Sequence, residues 1–445
     1  MTNPLIKLGL CLAVTLLCIC ISKSVSAQTV VQLRLSVELP NAADVSFSPA
    51  GKFLAIRRED GSVRVIDISD GREVFTLPST KKDAFTTHWT TDGLRLLVIN
   101  SKTVVLWDPR SGKQLSTFIK PRDKSFHVAE LSPNETTLLS VKTDDSMKTS
   151  LLYDQKKIVR VWDVASGKLR FEIQIKGFGG RVQFSPDGKQ LLTTSDSEDA
   201  RLWDVETGRL FARLKPPDRG FGEGSSGIFR PDGKVVAVHS NGYGVYLWDC
   251  ATGLLKNTVV GDTFTNRHSL AGFSPDGKLL AIYRDRVAIE MRDSETGALS
   301  STLTAKDIGV EYEQLLWSSD SRTLIRAAGY KCEAKSWDVT TGQLKTTFPV
   351  LLTFSRIPFD FGYRDLDHLS LHPSLPIVSA ANEKFVRLWN SETGELMQRL
   401  ENTGGYAQWS TDGTLLLTFA KDLRSASVWD VSHKKAQMNC AFCGS

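Results

Sequence analysis

The sequence predicts an all-β fold, a β-propeller of four-stranded antiparallel blades, and three observations carry that prediction. A pattern of the form F-S-P-D-G-K, two short apolar runs and L-W-D-x-x-T-G recurs nine times. Its clearest copies are Phe184-Ser-Pro-Asp-Gly188 with Leu202-Trp-Asp-Val-Glu-Thr-Gly208, and Phe273-Ser-Pro-Asp-Gly277 with Arg292-Asp-Ser-Glu-Thr-Gly297. The period is fixed: Asp67 and Asp430 lie 363 residues apart across eight steps, or about 45 residues per unit, the length of one propeller blade. Beyond the N-terminal segment there is no convincing long helical pattern, and four short strands per repeat stacked radially make a propeller.

Each unit reads as strands a to d. Strand a ends at a large apolar residue: Phe47, Trp89, Leu131, Phe184, Phe229, Phe273, Trp317, Leu371 and Trp409. P-D-G-K then makes a tight turn, with Pro presetting its first central residue and Gly accepting positive φ. Strand b is a run such as Leu279-Leu-Ala-Ile282, and strand c a run such as Val386-Arg-Leu-Trp389. The second marker falls at Ile66, Trp107, Trp162, Trp203, Trp248, Arg292, Trp337, Trp389 and Trp429. The D-x-x-T-G turn follows, its Gly suited to a left-handed conformation, and leads into strand d. All ten tryptophans occupy these two positions, so each reads as repeat core.

These motifs resemble the WD-repeat family over almost all of residues 28–435. The resemblance implies a propeller that acts as an interaction scaffold. No Gly-His dipeptide precedes any strand a, so the Asp-His-Ser/Thr-Trp hydrogen-bond network of typical members should be missing or incomplete. Units one, six and eight also depart from W-D, with Ile66-Asp67, Arg292-Asp293 and Trp389-Asn390.

A ring must hide the edges of its first and last blades. Val31, Leu33, Leu35, Val37 and Leu39 alternate with polar residues, the pattern of a half-buried strand. This strand precedes the first strand a, and unit nine has no turn Gly after Trp429-Asp430. The N-terminal strand is therefore expected to complete blade nine. One nine-bladed ring is the favoured architecture; the alternative is seven or eight blades with a degenerate unit packed outside, nearer the usual range of about 4–8.

Residues 1–27 read as a signal peptide. Lys7 supplies the positive region, Leu8 to Ile21 is an uncharged run of 14 residues, and Val25-Ser26-Ala27 offers small residues for cleavage. That run is shorter than the ~20 residues of a spanning helix. The expected mature chain starts near Gln28 and is exported, to the periplasm or the exterior; an uncleaved membrane anchor is the alternative. Leu17 before Cys18 and Ile19 before Cys20 argue against lipidation. Of seven cysteines, Cys250, Cys332, Cys440 and Cys443 lie beyond this segment, too few for a disulfide scaffold. Cys440 and Cys443 fall in a C-terminal tail, 436–445, with no helix behind them to support redox chemistry. The net charge is +5, of which two lysines lie in residues 1–27, and no basic cluster suggests nucleic acid.

Function is expected where the repeat is interrupted. The large insertions, 144–157, 215–226 and 353–368, all fall in b–c or d–a connections, which share one face of a propeller, often the binding face. The last places Phe354, Phe359, Phe361 and Tyr363 beside Arg356 and Arg364, the residue types enriched at binding hot spots. They read either as a site for a protein partner or a glycan, or as a plug folded onto the blade tops. For a propeller enzyme the best hint is His88 and Glu130, just before the opening apolar residue of neighbouring units. A histidine beside a carboxylate is more often a structural bond, and metals usually need three or four ligands. His368 and His372 have a helix-type spacing at a strand, a weak metal signal. No catalytic residue, metal or cofactor is assigned. Asn134-Glu-Thr136 is a glycosylation sequon, relevant only in a eukaryote.

Overall fold

The computed structural model describes residues 28–78, 84–100, 103–119, 128–143, 156–176, 181–195, 198–217, 226–240, 244–260, 268–284, 288–304, 313–328, 333–349, 369–382, 384–401, 403, 405–420 and 425–434. These form nine four-stranded antiparallel sheets, arranged as the blades of one ring. Strand a of every blade ends at the residue the repeat predicts, from Phe47 in blade one to Trp409 in blade nine. Innermost strands of successive blades approach one another, as Ala42–Phe47 does Ala84–Trp89 and Leu369–Leu371 does Gly405–Trp409.

The core is distributed between blades. Each of nine apolar clusters joins one blade to the next. One of them decides the blade count: Val45, Phe47, Leu54 and Ile56 of blade one pack with Leu415, Leu417, Ala426 and Val428 of blade nine. The ring therefore closes through nine blades, with no unit packed outside.

Blade nine is completed by the N-terminal strand Gln28–Glu38, which pairs antiparallel with Ser425–Lys434. The register corrects one sequence expectation. A bulge lies between Leu33 and Leu35, which oppose Trp429 and Val428. A one-residue slip reverses which face a side chain meets. Val31 thus joins the core between blades eight and nine, whereas Leu35 and Val37 join that between nine and one. Leu33 is left 55% exposed. The alternation that reads as one buried face is two half-faces.

The same bulge recurs wherever strand c meets strand d. In blade four it lies between Leu202 and Trp203, which oppose Ala212 and Leu210. It persists in blade six, where Arg292 replaces the Trp. There the guanidinium lies against Glu290, which is 3% exposed and also held by Arg284. A buried carboxylate between two arginines is compensated charge.

Candidate functional site

The two turn classes of the repeat are built to hold the ring. In the a–b turn of blade four, Ser185 Oγ donates to Asp187 Oδ1 at 2.7 Å and accepts from Gln190 N at 2.9 Å. Gly188 closes the turn at φ 71°, and a Cβ there would lie 2.7 Å from Asn134 of blade three. Asn134 stands at the turn position that carries Asp in most units. Its Oδ1 accepts from Ser132 and Thr136, and its Nδ2 donates to Asp187 O at 3.1 Å. The sequon asparagine is thus a structural tie between turns.

In the c–d turn, Asp204 Oδ1 accepts from Thr207 N at 2.7 Å and Thr207 Oγ1 at 2.6 Å. Bonds of this kind, from a Ser or Thr three residues on, hold the carboxyls of Asp108, Asp163, Asp204, Asp249, Asp293 and Asp338 below the ordinary range. Asp163, which is also gripped by Arg170, falls to about 2. The turn glycine is set by its neighbour as well as by φ: a Cβ at Gly208 would lie 2.6 Å from Phe171 Cγ of blade three.

Blade eight carries His372 where most a–b turns have Ser. Its Nδ1 accepts from Ser374 N and Leu375 N, and its Nε2 lies 3.0 Å from Gly413 O of blade nine. The ring packs edge-on against Trp409 at 4.8 Å. His372 is therefore part of a turn and a link between blades; His368 lies outside the described residues.

The opposite face carries the b–c and d–a connections. Phe354, Arg356, Phe359, Phe361, Tyr363 and Arg364 lie outside the described residues, as do most of the 144–157 and 215–226 insertions and Cys332, Cys440 and Cys443. At the b–c turn of blade one, a depression of about 630 Å³ is lined by Pro40, Asn41, Arg58, Glu59 and Asp60. Glu59 N donates to Asn41 O there, tying the link after the N-terminal strand to blade one.

His88 and Glu130 sit on the inner strands of blades two and three, and both are exposed. Solvent reaches Glu130, yet the protein around it desolvates its carboxyl enough to raise its pKa. Among the described residues no group of three or more His, Cys, Asp or Glu is placed to hold a metal ion. Cys250 is a buried free thiol, pushed up to about 12 by burial.

Sequence reasoning missed one surface feature. At the outer rim, on the side of the c–d turns, Phe211 is 45% and Leu254 is 67% exposed, with Leu210 and Leu255 exposed beside them. The two blades meet closely, since a Cβ on Gly253 would lie 3.6 Å from Phe211 Cε1. The signal was present: the residue after the turn glycine is Arg72, Lys113, Lys168, Arg209, Ala298, Gln343 and Glu395 in the other units, and Leu254 only in unit five.

Comparison with known proteins agrees with this geometry. The anaphase-promoting complex subunit 4 WD40 domain family matches residues 19–92, and the WD domain, G-beta repeat family matches 180–204. These matches support a WD-repeat β-propeller family. An uncharacterized WD repeat-containing protein of Synechocystis sp. is 27% identical to this chain over 150 residues, 34% of this chain and 40% of the relative. A guanine nucleotide-binding protein subunit beta of Oryza sativa subsp. indica is 33% identical over 122 residues, 26% of this chain and 30% of the relative. The chain thus spans less than half the length of either relative. A crystal structure of the eukaryotic initiation factor superposes with a TM-score of 0.57 at 14% identity, covering 82% of this chain and 89% of that one; this likeness shows the fold alone. The expected incompleteness of the family's hydrogen-bond network is visible in the tryptophans. Trp162, Trp203 and Trp429 donate Nε1 to Ser140, Thr193 and Thr418, whereas Nε1 of Trp248, Trp337 and Trp389 is buried without a partner.

Proposed function

We propose that this chain is an exported, non-enzymatic WD-repeat scaffold that binds a protein partner through the face carrying its b–c and d–a connections. WD40 propellers commonly bind protein partners. The observation that carries the choice of face is how fully the other class of turn is spent on the ring itself. Its Ser, Asp and Gly side chains and backbones are bonded within the turn or packed on the preceding blade. Insertions of variable length interrupt the repeat on the opposite face, and loops on a rigid scaffold carry recognition disproportionately. The residues assigned to contact the partner are Phe354, Arg356, Phe359, Phe361, Tyr363 and Arg364.

The test captures partners from the exported fraction with the parent and with a variant whose residues 353–368 are replaced by a Gly-Ser linker. A partner lost from the variant at unchanged melting temperature supports the reading, and identical capture profiles overturn it. Mass spectrometry of the mature N-terminus tests export: a chain beginning near Gln28 agrees, and a chain retaining residues 1–27 indicates the anchored alternative. The raised pKa of Glu130 keeps one second reading open, a metal or small-molecule site in the central channel. A stoichiometric metal in the purified protein that is lost in His88→Ala would establish it in place of the scaffold.

A further inference from the structure

We propose that the outer rim of blades four and five is a second docking surface, for an acidic extended segment of a partner protein bearing aliphatic or aromatic anchors. Scattered exposed apolar residues are ordinary on a protein surface, whereas contiguous ones mark interaction sites. Elsewhere on the rim, the exposed leucines stand among small or polar residues, except in blade eight, where Leu396 and Met397 form a pair within a single strand. Leu299 is flanked by Ala298 and Ser300, and Leu344 by Gln343 and Lys345. At the junction of blades four and five, Leu210, Phe211, Leu254 and Leu255 are all exposed, and Gly253 brings the two blades together there without a side chain to separate them.

Charge selects the occupant. Two of the acids beside this patch are ion-paired within the fold, and two are turned into their own turns. Asp204 and Asp249 accept bonds in their own turns, Glu206 pairs with Arg170, and Glu295 pairs with Arg230 and Lys256. Arg209 and Arg213 flank the apolar residues, are exposed, and have no ion-pair partner among the described residues. An apolar centre with uncompensated guanidiniums fits an acidic partner and repels a basic one. The backbone selects the shape: strand Leu210–Leu214 is the last strand of its sheet, so its outer edge offers main-chain groups to an added strand.

The probe is a labelled twelve-residue peptide alternating Asp or Glu with Leu or Phe, followed by fluorescence anisotropy on the full chain. Two control peptides accompany it, one with Lys for each acid and one with Ser for each apolar residue. The acidic apolar peptide is expected to bind and both controls to fail, with affinity falling as salt rises. Phe211→Ser with Leu254→Ser should weaken binding by about tenfold or more, and Arg209→Glu with Arg213→Glu should do the same. Leu299→Ser with Leu344→Ser should leave it unchanged. All these positions are exposed, so unchanged melting curves separate lost binding from lost folding. Absence of binding by the acidic peptide, equal binding by the Lys peptide, or indifference to Phe211→Ser with Leu254→Ser overturns the proposal. So does a dimer of the free protein dissolved by Phe211→Ser, which assigns the patch to a second copy. The result is independent of residues 353–368, so the two functional readings fail separately.

Discussion

Blade four and blade nine are built by different routes and reach the same structure. In blade four the outer strand, Leu210–Leu214, follows strand c through a D-x-x-T-G turn. In blade nine no such turn exists, and the outer strand comes from the other end of the chain. Yet Leu33 and Leu35 straddle the bulge opposite Trp429 and Val428, as Leu210 and Ala212 do opposite Trp203 and Leu202. Trp203 and Trp429 each donate to a strand-b threonine at 2.9 Å. Even the glycine of the following blade is reproduced: Gly71 seats against Leu35 as Gly253 seats against Ala212. Blade geometry is therefore set by side-chain register against strand c and the next blade, and a covalent c–d turn is not required to reach it.

Deleting residues 28–38 is the strongest way to break this equivalence. It exposes the strand-c edge of blade nine and takes Val31, Leu35 and Val37 out of the cores shared with blades eight and one. The expected outcome is loss of the cooperative thermal transition, read by calorimetry, because a ring opened at one seam weakens both neighbouring interfaces. A truncated chain that melts like the parent would make the N-terminal strand an ornament. The next largest effect compares the seam with an ordinary blade junction. Gly71→Ala and Gly208→Ala each place a Cβ at φ 72° and 70° against the preceding outer strand, 3.0 Å from Leu35 and 2.6 Å from Phe171. Each should cost about 1–3 kcal/mol in denaturant unfolding. Leu35→Ala and Phe171→Ala should each relieve part of the cost of their own glycine variant. Relief at Gly208 without relief at Gly71 would show that the seam does not pack as a true blade junction.

Much of the fold was legible because the repeat encodes backbone demands that only certain residues meet. Gly at positive φ, Ser and Asp in bonded turns, and a large apolar residue closing strand a fix the strand ends to the residue. The bulge was not legible. It changes which residues share a face without changing composition, so Leu33 and Leu35 look alike in the sequence and part company in the structure. The site was less legible than the fold. Phe354 to Arg364 interrupt the repeat and so attract notice, while their geometry lies outside the described residues. Phe211 and Leu254 conform to the repeat spacing and escaped notice, although Leu254 stands where most other units place a polar or charged residue. A departure in chemistry at a regular position is a weaker signal than an insertion, and it is found only by comparing units column by column.

Acid should separate the two routes more gently. The c–d carboxyls of blades two to seven have folded pKa values below their unfolded values. A depressed carboxyl stabilises fully above its unfolded pKa and loses that contribution as pH falls through the folded one. The window therefore runs from about pH 4 down to about 2 for Asp163. Solvent screening keeps the Asp163 contribution to about 1 kcal/mol or less. Amide exchange at these turns should quicken between pH 4 and pH 2, after correction for intrinsic rates. The turn of blade eight should not follow, because Asn390 makes the same bonds to Glu392 N and Thr393 N without a titrating group. Asp338→Asn should make blade seven behave like blade eight, and an unaltered acid response in that variant would place the loosening elsewhere.

The tryptophan bonds give the sharpest comparison of interiors. The tryptophan bond forms in blades three, four and nine, where strand b offers Ser140, Thr193 or Thr418 two residues beyond the partner of the Trp. Blades five, seven and eight place Val238, Arg326 and Ala380 there, and Nε1 of their tryptophans is buried without a partner. Thr193→Val and Thr418→Val should each cost about 1–2 kcal/mol, the penalty of stranding a buried donor. Val238→Thr runs the experiment in reverse: the new hydroxyl is costly to bury, but Trp248 gains an acceptor, so the net gain should be about 0.5 kcal/mol. Equal costs for Thr193→Val and Thr418→Val would show that the blade closed by pairing alone is as tightly packed as the one closed by a turn. A cost confined to Thr193→Val would mean that blade nine opens below the global transition, and that the seam is where the ring begins to come apart.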